Sequence, residues 1–133
     1  MKKLYLDIDG VLVRGGKTTA GVVEFLRYAT EHFDCYWLTT HCHGDAKPVF
    51  LYLVSRVPAE ALPYIEKFKP TTWGGWKTEA IDFSGPFIWI DDNLFEPERQ
   101  ALIAHDALAN YIPIDLDKNS QQVVELTHSL RVT

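Results

Sequence analysis

Short apolar runs alternate along the chain with segments of helical periodicity, and several of the apolar runs end in polar residues. Residues 4–8, 35–39 and 87–90 are apolar runs of strand length and predict three buried strands. Apolar residues spaced three and four apart predict helices in the intervening segments. The expected helices are 18–32 with a cap at Thr18 or Thr19, a segment from about Gly44 or Asp45 to before Pro58, 77–83, 97–107, and 118–130 with a cap at Asn119 or Ser120.

Two further segments are less regular. Residues 111–114 predict an edge strand, because Pro113 has no N–H to give to a neighbouring strand. Residues 64–68 fit either a turn of helix or a poor strand. Apolar strands separated by helices are typical of parallel sheets that are covered on both faces. We therefore predict an α/β fold, a doubly wound three-layer α/β/α sandwich with a mainly parallel central sheet, as a single domain over residues 1–133.

Polar side chains gather where the predicted strands end. Asp7 and Asp9 close the first strand, Thr39 and Thr40 the second, and Asp91-Asp92 the strand at 87–90. In a doubly wound sheet, ligands bind outside the carboxyl ends of the strands. Four carboxylates at one rim repel one another, and a divalent cation relieves that repulsion. All-oxygen ligands favour Mg²⁺.

The tetrapeptide Asp7-Ile8-Asp9-Gly10 also has an ordinary interpretation as a turn, since Asp and Gly are common in turns. Two features favour a functional site: an apolar strand precedes it, and the apolar residues 11–13 follow where a surface turn would be polar. Alternation along an extended backbone would place both carboxylates on one side. One could then attack phosphorus while the other transfers a proton, and Gly10 would let the chain turn sharply behind them.

Composition and charge restrict the function. The formal net charge is −5, so the basic footprint expected of a nucleic-acid-binding protein is missing from the sequence. Cys35 and Cys42 are expected to be reduced thiols, because a disulfide framework would use more cysteines. The sequence shows no signal-peptide pattern and no apolar run long enough to span a bilayer. These features favour a cytoplasmic protein without membrane or nucleic-acid partners.

Residues 4–12, Leu-Tyr-Leu-Asp-Ile-Asp-Gly-Val-Leu, resemble the first motif of the haloacid dehalogenase-like superfamily, most of whose members are phosphatases. The resemblance implies that Asp7 is the nucleophile, which forms an aspartyl-phosphate and also binds Mg²⁺. It implies that Asp9 is the general acid and base, with its backbone carbonyl on the metal. The halide-releasing members generally lack the second aspartate, so Asp9 argues against that chemistry.

The later motifs of the superfamily are similar to segments that follow in the same order. The second is an apolar strand ending in Ser or Thr, which assigns the phosphoryl group to Thr39, with Thr40 as the alternative. The third motif is a lysine near a helix start, and Lys77 has the best position for it. Lys67 and Lys69 are the alternatives. The fourth implies Asp92 as a direct metal ligand and Asp91 as a second or water-mediated one. The residues assigned to the substrate are Gly10, Thr39, Thr40 and Lys77, and those assigned to the metal are Asp7, Asp9, Asp91 and Asp92.

The gaps between these motifs leave no room for the cap domain that many members carry. The resemblance therefore implies a capless, Mg²⁺-dependent phosphomonoester hydrolase with an open site for a small or bulky phosphorylated substrate. A phosphotransferase on the same scaffold and a catalytically weak binding or regulatory module are the alternatives.

Three other segments leave alternatives open. His41-Cys42-His43 invites a zinc interpretation, but it lacks a second ligand pair, so histidines lining the phosphate pocket are favoured. Residues 73–76, Trp-Gly-Gly-Trp, fit an aromatic substrate platform or a packed loop. Residues 14–17, Arg-Gly-Gly-Lys, fit a positively charged flap or a surface turn.

Overall fold

A computed structural model describes residues 1–132, so Thr133, the last residue of the predicted domain, lies outside the described residues. Short 3₁₀ helices cover Ala59–Ala61, Lys77–Ala80 and Leu108–Asn110. The main elements of the described chain are β1 (Lys3–Leu6), β2 (Val13–Arg14), β3 (Lys17–Thr18), α1 (Val22–His32), β4 (Asp34–Trp37), α2 (Lys47–Leu53), α3 (Leu62–Ile65), β5 (Phe87–Asp91), α4 (Glu96–Ala104), β6 (Tyr111–Pro113) and α5 (Gln122–Arg131).

The central sheet is parallel throughout the described chain, with four strands in the order β4-β1-β5-β6. Strand β1 lies in the middle, and its last residue, Leu6, is level with Trp37 of β4 and Ile90 of β5. The carboxyl ends of these three strands therefore meet at one edge of the sheet. The α/β class and the parallel sheet are confirmed, and so is the position of β6 as an edge strand.

Two apolar cores lie on opposite faces of the sheet, because neighbouring side chains on a strand point to opposite faces. Leu4 and Leu6 contribute to the larger core, which also contains buried residues of α1 and α5, while Tyr5 belongs to the second. Trp89 of β5 and Leu102 of α4 are fully buried in the second core. Helices thus cover both faces, which compares well with a Rossmann-like sandwich.

Several element boundaries differ from the prediction. Thr18 and Thr19 do not cap α1, because Thr18 lies in the β2–β3 hairpin and its hydroxyl donates to the carbonyl of Arg56 at 2.6 Å. The N-cap of α1 is Gly21, whose φ is +82° and whose added Cβ would lie 2.5 Å from Val124. Residues 64–68 contribute only the end of the one-turn helix α3.

The C-terminal helix also begins later than predicted. Asn119 does not cap it, since α5 starts at Gln122 and neither Asn119 nor Ser120 is its N-cap residue. The side chain of Asn119 instead accepts the N–H of Gln121 at 3.0 Å, which holds a turn before the helix. None of the helices in residues 1–132 has the length and apolar character that a bilayer-spanning segment requires.

Candidate active site

Three carboxylates and one ammonium group meet at the carboxyl edge of the sheet. Asp7 follows β1, Asp91 ends β5 and Asp92 comes next, and one oxygen of each lies within 4.8 Å of the others. The Nζ of Lys77 lies 2.7 Å from Asp91 Oδ2 and 3.5 Å from Asp7 Oδ1. Three negative charges and one positive charge leave two negative charges in the cluster. The structure therefore brings together Asp7, Lys77, Asp91 and Asp92 as the sequence analysis expects.

Burial is the main cause of the raised pKa values of the three carboxylates in this cluster. Burial, together with the charge of Asp7, raises the pKa of Asp91 to about 6. Burial likewise raises the pKa of Asp7, although the charge of Lys77 opposes it, and the pKa of Asp92 rises through burial and its contact with Asp91. Burial alone would lower the pKa of Lys77, but the charges of Asp7 and Asp91 outweigh it and raise that pKa.

The carboxylate of Asp91 is already occupied by hydrogen-bond donors. Its Oδ2 accepts from Lys77 Nζ at 2.7 Å and from the indole of Trp89 at 3.2 Å. Its Oδ1 accepts from the backbone N–H groups of Asp92 at 2.7 Å and of Asn93 at 3.2 Å. Four donors match the lone-pair capacity of a carboxylate. Asp7 and Asp92 are therefore the carboxylates better able to accept a cation, with Asp91 holding their surroundings in place.

Gly10 permits the close approach of Asp92 to β1. Its φ is +82°, and a Cβ added there would lie 2.0 Å from Asp92 Oδ2 and 2.6 Å from its Cγ. The backbone N–H of Gly10 donates to the carbonyl of Val13 at 2.8 Å, which closes the turn behind Asp9. A side chain here would displace Asp92 and would strain a left-handed backbone, so this position favours glycine.

Replacing Gly10 by Ala is expected to displace Asp92 and strain the backbone. We expect Mg²⁺ affinity to fall at least about tenfold, and the free energy of unfolding to fall by about 1–3 kcal/mol. Calorimetric titration with Mg²⁺ and urea unfolding measure the two effects. Gly85→Ala is the matched control, because a Cβ there meets nothing within 4 Å. Equal Mg²⁺ affinity in the two variants would refute the steric role of Gly10.

The two threonines that follow β4 have different surroundings. Thr39 is buried, and its hydroxyl accepts the backbone N–H of His41 at 3.3 Å. Thr40 is exposed and lines a cavity of about 430 Å³ together with Asp7 and Lys77. The structure thus places Thr40, the alternative of the sequence analysis, in the cavity wall, and Thr39 behind it.

The carboxylate of Asp9 lies outside the three-carboxylate cluster. Strand β1 ends at Leu6, so the strict alternation that would pair Asp9 with Asp7 does not extend to it. Asp9 Oδ1 accepts the hydroxyl of Tyr52 at 2.7 Å, and Oδ2 lies 2.7 Å from His41 Nε2. Burial alone would raise the pKa of Asp9, but the hydrogen bonds from Tyr52 and His41 outweigh it and lower that pKa. Asp9 is therefore held as a carboxylate between two side chains.

Tyr52 and Glu98 belong to the site although sequence reasoning missed them. The ring of Tyr52, in α2, stacks on His41 with 3.9 Å between the centroids. Glu98 is buried, and its carboxylate accepts the backbone N–H groups of Lys77 at 3.0 Å and of Phe95 at 3.1 Å. Phe95 and Glu98 have the spacing of a capping box, but Phe95 lacks the side-chain oxygen of the usual Ser or Thr, so the sequence signal for Glu98 is incomplete. No local pattern signals Tyr52.

Two of the three other candidate segments make structural contacts. Arg14 of the β2–β3 hairpin pairs with Asp117 and donates to the carbonyl of Leu116, so its charge is engaged away from the cluster. The side chains of His41, Cys42 and His43 have different surroundings. His41 lies beside Asp9, Cys42 is buried, and His43 lies against the ring of Trp73. Cys35 and Cys42 are both free thiols.

Comparisons of the chain with models of known families, with curated proteins and with solved structures gave no match.

Proposed function

We propose that the protein is a Mg²⁺-dependent phosphomonoester hydrolase of the haloacid dehalogenase-like type, working through a phosphoryl group on Asp7. The observation that carries the proposal is the cluster of Asp7, Asp91 and Asp92 around Lys77, at the carboxyl edge of a parallel sheet. An ammonium group among buried carboxylates supplies charge for phosphoryl oxygens, and a nucleophilic carboxylate lies beside it.

The donor set of the cluster fits a divalent cation. All the available ligand atoms are carboxylate oxygens, which suit Mg²⁺, and two negative charges remain after Lys77 is counted. Asp7 and Asp92 would hold the ion directly. Asp91 would fix the backbone of Asp92 and the ammonium group of Lys77, which lies beside Asp7, through its own hydrogen bonds. When bound, Mg²⁺ supplies positive charge that offsets the repulsion among carboxylates and phosphoryl oxygens.

The residues divide the reaction between them. A carboxylate oxygen of Asp7 forms a bond to phosphorus as the bond to the leaving oxygen breaks. The protonated form of Asp9, which is the minor form because Tyr52 and His41 favour the carboxylate, gives that oxygen a proton. Lys77 and Thr40 hold the phosphoryl oxygens in place. A water molecule, losing its proton to Asp9, then attacks phosphorus and releases inorganic phosphate from Asp7. Thr39 stabilises the loop beneath by accepting the N–H of His41.

The short connections in the structure fit an open, capless site. The hairpin β2–β3 and α1 are the elements that join β1 to β4, and short helices join β4 to β5. We infer that substrate reaches Asp7 without the movement of a separate domain.

The proposal is tested with an aryl phosphate in Mg²⁺ buffer and after chelation. We expect turnover that requires Mg²⁺ and returns when the ion is restored. Turnover that persists in chelator would refute the metal-dependent mechanism. An absence of turnover on a wide panel of phosphomonoesters, with Mg²⁺ binding intact, would instead favour a binding or regulatory module.

Tyr52 is expected to position Asp9 for proton transfer. Its hydroxyl donates to Asp9 at 2.7 Å, and removing it frees the carboxylate to rotate. In Tyr52→Phe we expect kcat for an alkyl phosphate to fall about tenfold, with a smaller loss for an aryl phosphate, whose leaving group needs less help from an acid. Steady-state kinetics on both substrates measure this difference.

The matched control is Tyr64→Phe, which removes a hydroxyl from a half-buried ring in α3. It should leave both rates within about twofold of the original protein. Equal losses on the alkyl and aryl substrates in Tyr52→Phe would show that Tyr52 does not assist protonation of the leaving group.

A further inference from the structure

The cavity beside the acidic cluster has an aromatic wall. The cavity of about 430 Å³ that contains Asp7 and Lys77 is also lined by Trp73, Trp76 and Phe95. Its volume is in the range of sites for small organic ligands, about 300–1,000 Å³. A substrate with its phosphoryl group at Asp7 would therefore have the rest of its structure beside these rings.

Two of the rings are exposed to an unusual degree for their size. Trp76 is 41% exposed and Phe95 is 52% exposed, and their centroids lie 5.8 Å apart with the planes tilted by 52°. Leaving large aromatic surfaces in water is unfavourable. Both residues also occupy helix N-cap positions, where a short polar side chain would stabilise the helix better. Neither helix explains the choice of an aromatic residue.

The same kind of hydrogen bond fixes the backbone that carries each ring. The backbone N–H of Trp76 donates to Glu79 at 2.8 Å, and that of Phe95 donates to Glu98 at 3.1 Å. Glu98 also accepts the N–H of Lys77, so one buried carboxylate joins the two loops that carry the rings. The backbone beneath the aromatic wall is therefore fixed before a ligand binds, which lowers the entropic cost of binding.

The charges in the cavity wall define what kind of group fits there. Asp7, Asp91, Asp92 and Glu98 are acidic, and Lys77 is the one basic residue of the lining within the described chain. Lys77 already lies between two of these carboxylates. A second anionic group on the substrate would meet repulsion, whereas an uncharged ring would meet aromatic faces.

We propose that Trp76 and Phe95 form a subsite for an uncharged planar ring in the leaving group of a small phosphomonoester. This inference rests on the proposed function for the position of the phosphoryl group, and it adds the class of substrate. The ring could belong to an arene or to a nucleobase, since both offer a flat uncharged face.

Binding of phosphonates, which are not hydrolysed, tests the subsite independently of turnover. Calorimetry in Mg²⁺ buffer compares benzylphosphonate with cyclohexylmethylphosphonate, which differ in the planarity of the ring. A second arm compares the phosphonate analogues of uridine 5′-phosphate and ribose 5-phosphate. We expect the planar ligand of at least one pair to bind about threefold tighter or more, and the arm that shows it identifies an arene or a nucleobase.

Substitution of each ring tests whether Trp76 and Phe95 cause the tighter binding of planar ligands. Trp76→Ala and Phe95→Ala should each weaken binding of the preferred planar ligand about five- to tenfold, with the non-planar partner changed less than about twofold. The control is Ile103→Ala on α4, an apolar side chain that is 43% exposed and does not line the cavity. The inference would be overturned by equal affinity within both ligand pairs or by no binding of any phosphonate. It would also be overturned if both variants still bound the planar ligand more tightly than its partner. Ring preference without turnover of any phosphomonoester would retain the subsite and refute the hydrolase.

Discussion

Replacing Asp7 by Asn is expected to reduce phosphatase turnover by about 10⁴-fold or more while the fold persists. The amide of Asn cannot form the phosphoryl bond that the Asp7 carboxylate is proposed to form. The loss should appear in kcat, measured with an aryl phosphate at saturating Mg²⁺.

The free energy of unfolding, unlike kcat, should change little in Asp7→Asn. Burial raises the pKa of Asp7, so the structure disfavours its charged form, and a neutral amide removes one of three clustered negative charges. Lys77 keeps Asp91 as a partner at 2.7 Å. We expect the free energy of unfolding in metal-free buffer to stay within about 1 kcal/mol of the original protein.

Asp82→Asn provides the control, because it makes the same substitution at an exposed residue outside the cluster. Its turnover should stay within about twofold. More than about 1% residual activity in a purified Asp7→Asn sample would be incompatible with nucleophilic attack by Asp7.

Mg²⁺ is expected to raise the melting temperature, and Asp92→Asn is expected to abolish that rise. An ion that binds only the folded protein at about 100 times its dissociation constant adds about 2.7 kcal/mol. For a chain of 133 residues this corresponds to an increase of about 5–10 °C. Thermal unfolding followed by circular dichroism, with chelator and then with Mg²⁺, measures the shift.

Asp92 is the informative position because its carboxylate belongs to the cluster while Asp91 is saturated with four donors. In metal-free buffer Asp92→Asn should melt no lower than the original protein, since one of the mutually repelling carboxylates is gone. Glu60→Gln removes an exposed negative charge outside the cluster and should keep the full Mg²⁺ shift. An undiminished shift in Asp92→Asn would exclude Asp92 as a ligand.

The sequence predicts the parts of the fold that depend on local patterns. Apolar runs of four or five residues mark β1, β4 and β5, and their common edge follows from the parallel arrangement. The cluster was predictable for the same reason: Asp7 and Asp91 stand directly at strand ends, where parallel strands bring their next residues together. Choosing Lys77 as the lysine of the site also required the order of the motifs, because no local pattern distinguishes it from Lys67 or Lys69.

The features that sequence reasoning missed depend on long-range contacts. Tyr52 reaches Asp9 only because α2 packs over the turn after β1, and helical periodicity does not specify that packing. The hydroxyl of Thr18 binds the carbonyl of Arg56, so it cannot cap α1. Thr40 lines the cavity and Thr39 is buried behind it, a difference that an apolar strand followed by two threonines does not specify.

Identification of the phosphorylated residue is the most direct test of the proposed chemistry. In Asp9→Asn, an aryl phosphate should still transfer its phosphoryl group, because the leaving group needs little protonation, while hydrolysis lacks its base. After acid quenching, tandem mass spectrometry should find the phosphoryl group on Asp7, and hydroxylamine should remove it. A phosphoryl group on another residue such as Thr40, or steady turnover with no phosphorylated protein, would contradict nucleophilic attack by Asp7.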